Sequence, residues 1–291
     1  MSNASLPAAS HADLSPQGFA RFCHYITQEL GIKMSDAKRP LLQSRLQRRL
    51  RALGLHTLEE YQEHIFRSAS GEEERVHFID AITTNKTDFF REPAHFEYLT
   101  RTALPGLEAT RRPATPETPW HLKLWCAGCS SGEEPYTLTM VLSEFARSRP
   151  GFDFSLLATD ISTRMLEHAQ LGIYTEERVA PIPPTLRTRY LLRSKDPGRT
   201  QVRVVPDLRQ RVSFRRLNFM DATYAVPERF EVIFFRNVLI YFDKPRQQDV
   251  VRKLCRHLIP GGYLFVGHSE SLAGLDLPLI AQAPAIYRRR P

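Results

Sequence analysis

Apolar residues recur at three- and four-residue spacing from position 19 to about 102, and no alternating run there is long enough for a strand, so this stretch predicts several short helices. Thr57-Leu-Glu-Glu60 has the form of a capping box, in which the Thr oxygen takes an amide of the first turn while Glu60 reaches back. Ser70-Gly-Glu-Glu73 repeats that form ahead of Val76, Ile79 and Ile82. Residues 1–16 are small, polar and Pro-containing and are expected to form a loose tail. Residues 104–120, dense in Pro and Thr and without periodicity, read as a linker. The organisation predicted is therefore a helical domain over 17–103 and a second domain over 121–291.

Beyond position 120 the pattern changes to short apolar runs alternating with amphipathic stretches. Strands are predicted at 121–126, over Phe-Ser-Leu-Leu-Ala-Thr-Asp-Ile ending at 161, at 230–235 and at 261–268, with a final Ala-Ile-Tyr-Arg-Arg strand. Helices are predicted over 133–147, near 162–170 and over 245–258. Strands apolar on both faces alternating with helices mean a parallel sheet covered by helices, an α/β domain. Between about 172 and 216 the rhythm breaks. Tyr190-Leu-Leu, Gln201-Val-Arg-Val-Val and Arg211-Val-Ser-Phe, with a turn at Asp196-Pro-Gly198, predict a small inserted antiparallel β unit.

Composition narrows the setting. The 291 residues hold 40 Lys and Arg against 32 Asp and Glu, a net charge of +8 that favours an anionic partner. Much of the excess sits in one place: Lys38, Arg39, Arg45, Arg48, Arg49 and Arg51 face a single anion, Asp36, across positions 36–51. The apolar stripe Leu42, Leu46, Leu50 and Leu53 on the same segment would turn these cations outward, as a solvated face or as a docking surface for an acidic helix or for phosphates. No apolar run approaches a membrane span and the N-terminus lacks a secretory pattern, so a cytoplasmic location is expected. Four scattered cysteines are expected to be reduced.

The candidate chemistry gathers at strand ends, where open parallel sheets hold ligands. The first strand runs into Ala127-Gly-Cys-Ser-Ser-Gly132-Glu-Glu-Pro-Tyr136, and Asp160 ends the next strand, where a ribose diol could be held. A dinucleotide fingerprint fits poorly, because the middle glycine position is Ser130 and the acid lies 32 positions past Gly128. Glu133 and Glu134 would repel a phosphate and suit an ammonium or sulfonium group instead. Gly128-Cys-Ser130-Ser-Gly132 also matches a hydrolase elbow, with Asp221 and His268 following in order, but that fold needs strands ahead of the elbow and the chain supplies helices. Cys126-Ala-Gly-Cys129 lacks a second pair for zinc and is followed by acids that raise thiol pKa, so the two cysteines read as space-fillers. Two further polar clusters qualify by position: Asn85, Thr87 and Arg91 in Thr-Thr-Asn-Lys-Thr-Asp-Phe-Phe-Arg-Glu-Pro, and Arg236, Asn237 and Tyr241 just past an apolar strand.

Taken together, TTNKTDFFREP, WCAGCSSGEEPY, ATDIS, RNVLIYFD and GGYLFVGHSES, in that order, resemble the CheR family of chemotaxis-receptor glutamate methyltransferases, over about 18–290. The resemblance implies an all-helical N-terminal domain, a Rossmann-like catalytic domain with an inserted β subdomain, and an S-adenosylmethionine-dependent O-methyltransferase. Its product would be S-adenosylhomocysteine and its substrates glutamate side chains on the acidic methylation helices of chemoreceptors. By motif, Asn85, Thr87, Arg91 and Gly128 would line the cofactor cleft, Glu134 would hold the methionine ammonium and Asp160 the ribose hydroxyls. Asn218 and Phe219, with Arg236 and Asn237, would lie by the adenosine. Arg91 and Tyr241 would lie nearest the transferred methyl and orient the acceptor carboxylate. Arg45, Arg48 and Arg49 would contact the receptor helix, and the β subdomain offers a place for a receptor C-terminal peptide. The family reading brings no metal, no nucleic acid and no membrane insertion, and a monomer is expected.

A glutamate of ordinary pKa is ionised roughly 500 to 1 at pH 7, so such a nucleophile needs no general base. Charge disappears as a carboxylate attacks a sulfonium methyl, which leaves alignment and partial exclusion of water as the sources of rate. Two other readings use the same fold: a module that binds the nucleoside without transferring methyl, and a nucleic-acid or small-molecule methyltransferase favoured by the positive charge. The second lacks an aromatic-flanked string to stack a flipped base.

Overall fold

The computed structural model describes residues 14–67, 71–111, 119–196, 198 and 200–291. The chain divides into two compact units between Thr84 and Asn85.

The first unit is helical: α1 Pro16–Leu30, α2 Arg39–Leu53, α3 Leu58–Arg67 and α4 Gly71–Ile82. Ser15 caps α1 by accepting from the Gly18 amide, and Phe19, Phe22, Ile26 and Leu30 form its buried stripe. On α2 the buried positions are Leu42, Leu46 and Leu50, four apart, whereas Leu53 at the last turn is exposed. The capping box of α3 is present as read: the Glu60 amide donates to Thr57 Oγ1 at 3.1 Å, and Glu60 Oε2 accepts from the Thr57 amide at 3.3 Å. The similar string at the start of α4 includes Ser70, which lies outside the described residues, as does the N-terminal tail through residue 13. Phe22 stacks on Phe78 at 5.5 Å between ring centroids, which ties α1 to α4 through the core.

Two of the basic residues expected to face outward are instead used inside this unit. Arg49 binds the buried Glu74 with both ends of its fork, Nε to Oε1 at 2.9 Å and Nη2 to Oε2 at 2.7 Å. Tyr61 donates to the same carboxylate at 2.7 Å. Burial alone would raise the Glu74 pKa, but these hydrogen bonds outweigh it and hold the carboxyl below its usual range. Arg45 donates to the Ile82 carbonyl, and to that of Thr83 at 3.4 Å, satisfying orphan carbonyls at the end of α4. Arg48 and Arg51 remain exposed. A helix one side of which packs on three others has room for outward cations on only part of its circumference.

The second unit begins at Asn85, earlier than the sequence pattern placed it. Residues 85–103 belong to it because Phe89, Phe96 and Leu99 are buried in one core with Leu122, Leu124 and Tyr263. Much of the expected linker is helical as well. The helix α5 Ala94–Tyr98 passes through a π turn at Leu99–Ala103 into α6 Leu104–Arg111, and Leu104 and Leu107 join the same core. Residues 112–118 of that stretch lie outside the described residues.

The remaining elements are β1 Trp120–Ala127, α7 Glu133–Arg147, β2 Phe152–Asp160, α8 Thr163–Leu171, β3 Ile173–Thr175, α9 Glu176–Val179, α10 Pro184–Tyr190, β4 Leu191–Arg193 and β5 Gln201–Val204. They are followed by α11 Pro206–Arg209, β6 Val212–Arg216, β7 Phe230–Phe235, a 3₁₀ turn at Leu239–Tyr241, α12 Lys244–His257, β8 Leu258–Val266, β9 Leu279–Ala283 and β10 Ile286–Arg289. The seven-stranded sheet runs β6-β2-β1-β7-β8-β10-β9. Its first five strands are parallel, and β10 and β9 pair antiparallel at one edge. Alternate residues of β1 divide between two cores. Leu122, Leu124 and Cys126 pack with Phe234 and Phe265 on the face carrying α7, while Trp125 and Ala127 pack with Ile233, Phe235 and Leu254 on the face carrying α12.

The inserted unit is a separate three-stranded antiparallel sheet, β3-β5-β4. Its third member is Ile173–Thr175, not the Arg211-Val-Ser-Phe stretch. That stretch, β6, pairs parallel with β2 as the edge of the main sheet. A lone apolar strand of this length carries no mark of its pairing direction, and the crossover through the insert, too irregular to read as a helix, concealed the parallel return.

Candidate functional site

Strand β1 ends at Ala127, and the chain turns sharply into α7. Gly128 and Cys129 donate their amides to the Thr159 carbonyl at 2.7 and 2.9 Å, which locks the turn onto the end of β2. Ser130 has a left-handed backbone (φ 48) and donates its amide to Asp160 Oδ2 at 2.8 Å, while Asp160 Oδ1 accepts from the Ser162 amide at 2.9 Å. The predicted ribose ligand is thus fixed by backbone amides on both of its oxygens. Ser130 Oγ donates to the Asn85 carbonyl at 3.0 Å, bringing the first polar motif against the turn.

The two glycines of the turn are needed for space as well as conformation. Gly132 has φ 98, and a Cβ there would lie 2.7 Å from Tyr174 Oη and 2.9 Å from Ala169 Cβ. Gly128 has φ 84, and its Cβ would lie 2.6 Å from Val238 Cγ2 and 4.0 Å from Phe219. Phe219 and the segment beginning at Asn237 therefore approach Gly128 directly. Beside the turn, a cavity of about 360 Å³ is lined by Asn85, Ser131, Met165, His168, Tyr174 and Arg178 among others.

The adjacent glutamates of the turn divide their work. Glu133 is fully buried, accepts from Ser131 Oγ at 2.7 Å and pairs with Arg178, so it is part of the framework. Arg178 also lies 3.8 Å from Asp88, which accounts for one of the charges inside the first motif. Glu134 points the other way: its Oε2 accepts from Arg236 Nη1 at 2.7 Å, and its Oε1 accepts from Cys126 Sγ at 3.3 Å. Burial first and Glu134 second push the Cys126 thiol well up, and burial followed by Asp160 does the same for Cys129, so both stay protonated.

Arg236 joins three of the motifs. Its side chain is 1% exposed, and besides Glu134 it donates through Nη2 to Glu92 Oε2 at 2.9 Å and to the Arg91 carbonyl at 2.5 Å. Phe96 and Phe234 flank its guanidinium at 5.5 and 6.0 Å. Burial alone would raise the Glu92 carboxyl, but the Arg236 guanidinium outweighs it and holds the pKa low. Glu92 Oε1 accepts from Asn237 Nδ2 at 3.3 Å, and Oε2 also accepts from the His268 amide at 3.2 Å. Phe90, Glu92 and Asn237 all carry left-handed backbones, with φ of 55, 57 and 59. The Phe90 amide donates to Thr137 Oγ1 at 3.1 Å, anchoring this bend on α7.

Thr87 is buried, and the Arg91 guanidinium donates to the Lys86 carbonyl at 3.2 Å. Asn218 Oδ1 accepts from the Met220 amide at 3.0 Å, and Phe219 is buried with its ring 4.9 Å from that of Phe235. Tyr241 stands on the 3₁₀ turn that follows Asn237. Arg45, Arg48 and Arg49 lie in the other unit.

Three residues were missed. Glu92 sits inside a recognised motif but reads there as an ordinary acid beside a helix start. Glu270 is buried behind the Asn237 loop. His95 is 1% exposed with neither ring nitrogen hydrogen-bonded, and burial, then the nearby Arg236 and His268, lower its pKa to about 4. Nothing local in the sequence marks these as buried, because each is buried by a strand or loop distant in the chain. Glu92, His95 and His268 offer ligand atoms within 4.8 Å of one another. The Glu92 carboxylate is already the partner of Arg236 and Asn237, so a cation there would compete with a guanidinium.

A largely parallel sheet with a glycine turn after its first strand and a carboxylate closing its second sets a ligand site at the carboxyl ends of these strands. Residues 17–83 match the family described as CheR methyltransferase, all-alpha domain, and residues 85–281 match CheR methyltransferase, SAM binding domain. The chain belongs to the CheR methyltransferase family. It is 36% identical over 278 residues to the chemotaxis protein methyltransferase of Borreliella burgdorferi, covering 95% of each chain. It is 37% identical over 274 residues to that of Escherichia coli, with 94% of this chain and 91% of the relative covered. To chemotaxis protein methyltransferase 2 of Pseudomonas aeruginosa it is 40% identical over 243 residues, covering 83% and 81%. The cofactor is S-adenosylmethionine. No helix among the described residues is long and apolar enough to cross a membrane.

Proposed function

We propose that this enzyme transfers the methyl group of S-adenosylmethionine to glutamate side chains on the acidic signalling helices of chemoreceptors, forming methyl esters that adjust chemosensory signalling. The likeness over nearly the whole chain to enzymes named chemotaxis protein methyltransferases carries the reading. The site supports it. What supports it there is a pair of carboxylates at the strand ends, Glu134 and Asp160, groups suited to an ammonium and to hydroxyls, while the adjacent Glu133 and Glu134 disfavour a phosphate.

Bound there, the cofactor supplies an electrophilic methyl on a positively charged sulfur. Glu134 would hold the ammonium and Asp160 the ribose diol. Gly128, Asn218, Phe219 and Asn237, with Asn85 and Thr87, form the walls, and Arg236 acts from behind by fixing Glu134. Arg91 and Tyr241 orient the incoming carboxylate, Arg91 through one lone pair so that the other stays free to attack. The acceptor arrives ionised, so no group in the site has to remove a proton. That fits the internal commitments of the nearby titratable groups, Glu92 to Arg236, Glu133 to Arg178, and His95 buried beside Glu92 and His268. The receptor helix docks on the cations of α2 that remain outward, Arg48 and Arg51. Cytoplasmic action on the receptors' inner domains follows from the same reading.

The test is transfer of radiolabelled methyl to an acidic receptor fragment, followed by base-labile release of methanol, with calorimetric titration of S-adenosylhomocysteine alongside. Binding with release of methanol is the expected result. Binding without transfer to any glutamate would overturn the substrate assignment, and absence of binding would overturn the whole reading.

A further inference from the structure

We infer that Glu270 is a positioning residue that sets the backbone geometry of the segment from Asn237 to Tyr241; the functional meaning of that segment rests on the reading given above. Glu270 lies 33 residues away in the chain, on the turn that follows β8, where its amide donates to the Gly267 carbonyl at 2.8 Å. Glu270 is 6% exposed. Oε2 accepts from the Gly267 amide at 2.6 Å and from the Asn237 amide at 2.9 Å, and Oε1 accepts from the Ile240 amide at 3.3 Å. One buried carboxylate thus joins two loops through several backbone donors, the Leu239 amide among them, a task that needs acceptors on both oxygens.

The clamp acts where the backbone would otherwise relax. Asn237 holds φ 59, a conformation that survives only when its surroundings over-determine it. Glu270 fixes its amide, and Glu92 fixes its side chain. The two loops interleave so closely that a Cβ on Gly267 would lie 2.4 Å from Asn237 Nδ2 and 3.0 Å from Glu270 Oε2. On the carbonyl side, Gln247 Nε2 donates to Leu239 at 2.9 Å and to Phe242 at 3.1 Å. The Leu239–Ile240 peptide is therefore held at both ends, its carbonyl by Gln247 and its amide by Glu270, and Gln247 also holds the Phe242 carbonyl, so Tyr241 lies between two fixed peptide groups. The turn is nonetheless on the surface, since Ile240 is 54% exposed. Leu239 anchors the turn in the core, and these hydrogen bonds fix the backbone beyond it.

Glu270→Gln separates positioning from bulk stability. An amide of the same shape has one acceptor oxygen. With that oxygen kept toward Asn237 and Gly267, the amino group faces the Ile240 N–H and releases only the turn that carries Tyr241. Hydrogen exchange at residues 239–242 is expected to quicken by about tenfold. Methyl transfer to a receptor fragment should fall by about tenfold or more in kcat, with S-adenosylhomocysteine affinity within about threefold of native. Glu270→Ala, which frees Asn237 too, should weaken that affinity as well. Native exchange and native kcat in Glu270→Gln would overturn the inference, and so would a fall in turnover that only tracks equal falls in cofactor affinity and Tm. If the native enzyme itself bound no S-adenosylhomocysteine, the functional reading would fail, and the exchange measurement would still judge the clamp.

Discussion

Arg236 and Glu134 meet at 2.7 Å although 102 residues separate them in the chain. The pair joins the end of β7 to the first turn of α7, and the Arg236 fork reaches Glu92 on its other side. A buried cation is balanced here by two carboxylates that are 13% and 15% exposed. The proposed ammonium ligand is consequently shared with a residue of the protein.

Removing Arg236 leaves both carboxylates uncompensated. Arg236→Ala is expected to destabilise the enzyme by about 3–5 kcal/mol. Arg236→Lys should keep the charge but lose the fork, retaining part of the stability and little of the S-adenosylhomocysteine affinity. Urea unfolding with calorimetric titration checks both.

Gly132→Ala tests the turn. The left-handed backbone and the contact with Tyr174 Oη are both violated, so a loss of about 2–4 kcal/mol is expected, together with loss of cofactor binding. Tyr174→Phe should not restore the variant, because Ala169 Cβ crowds the same point at 2.9 Å. Thermal unfolding of the single and double variants measures this.

The basic helix separates into structural and outward cations. Arg49→Glu should destabilise by about 3 kcal/mol, since it sets an acid against the buried Glu74. Arg48→Glu should leave Tm within about 2 °C and slow receptor methylation, an effect that shrinks as salt rises. Methylation rates at two ionic strengths, beside melting curves, distinguish the two.

His95 should make the enzyme acid-sensitive. Folded, it titrates near pH 4 against an ordinary value of 6.5. Between those values the unfolded chain binds a proton that the folded chain does not, so stability falls as pH drops from 6.5 toward 4 and the contribution levels off below that. The full loss is about 3 kcal/mol. His95→Phe should retain the edge-on contact with Phe265 and flatten this part of the profile, which urea midpoints at pH 7.5 and 5 would reveal. Parallel profiles for the two proteins would contradict it.

Periodicity located α7, β1, β2 and β7 to within a residue or two, because each is set by apolar spacing against a common core. The capping box of α3 was readable for the same local reason. Pairing was not. The Arg211-Val-Ser-Phe strand looks alike in either sheet, and residues 104–111 showed Pro and Gly without the tertiary partners that make them helical. Among site residues, Asp160, Glu134 and Arg236 could be placed by strand ends. The roles of Arg45 and Arg49 could not, since a cation facing a distant buried acid has the same local sequence as one facing water.

Four of the five non-glycine residues with left-handed backbones among the described residues, Phe90, Glu92, Ser130 and Asn237, belong to the motifs around the cleft. Each position burdens the native state by about 1 kcal/mol or more relative to glycine. A laboratory lineage selected only for heat tolerance would find ready gains there, and glycine accumulating at Asn237 or Ser130 would signal that methylation had been traded away.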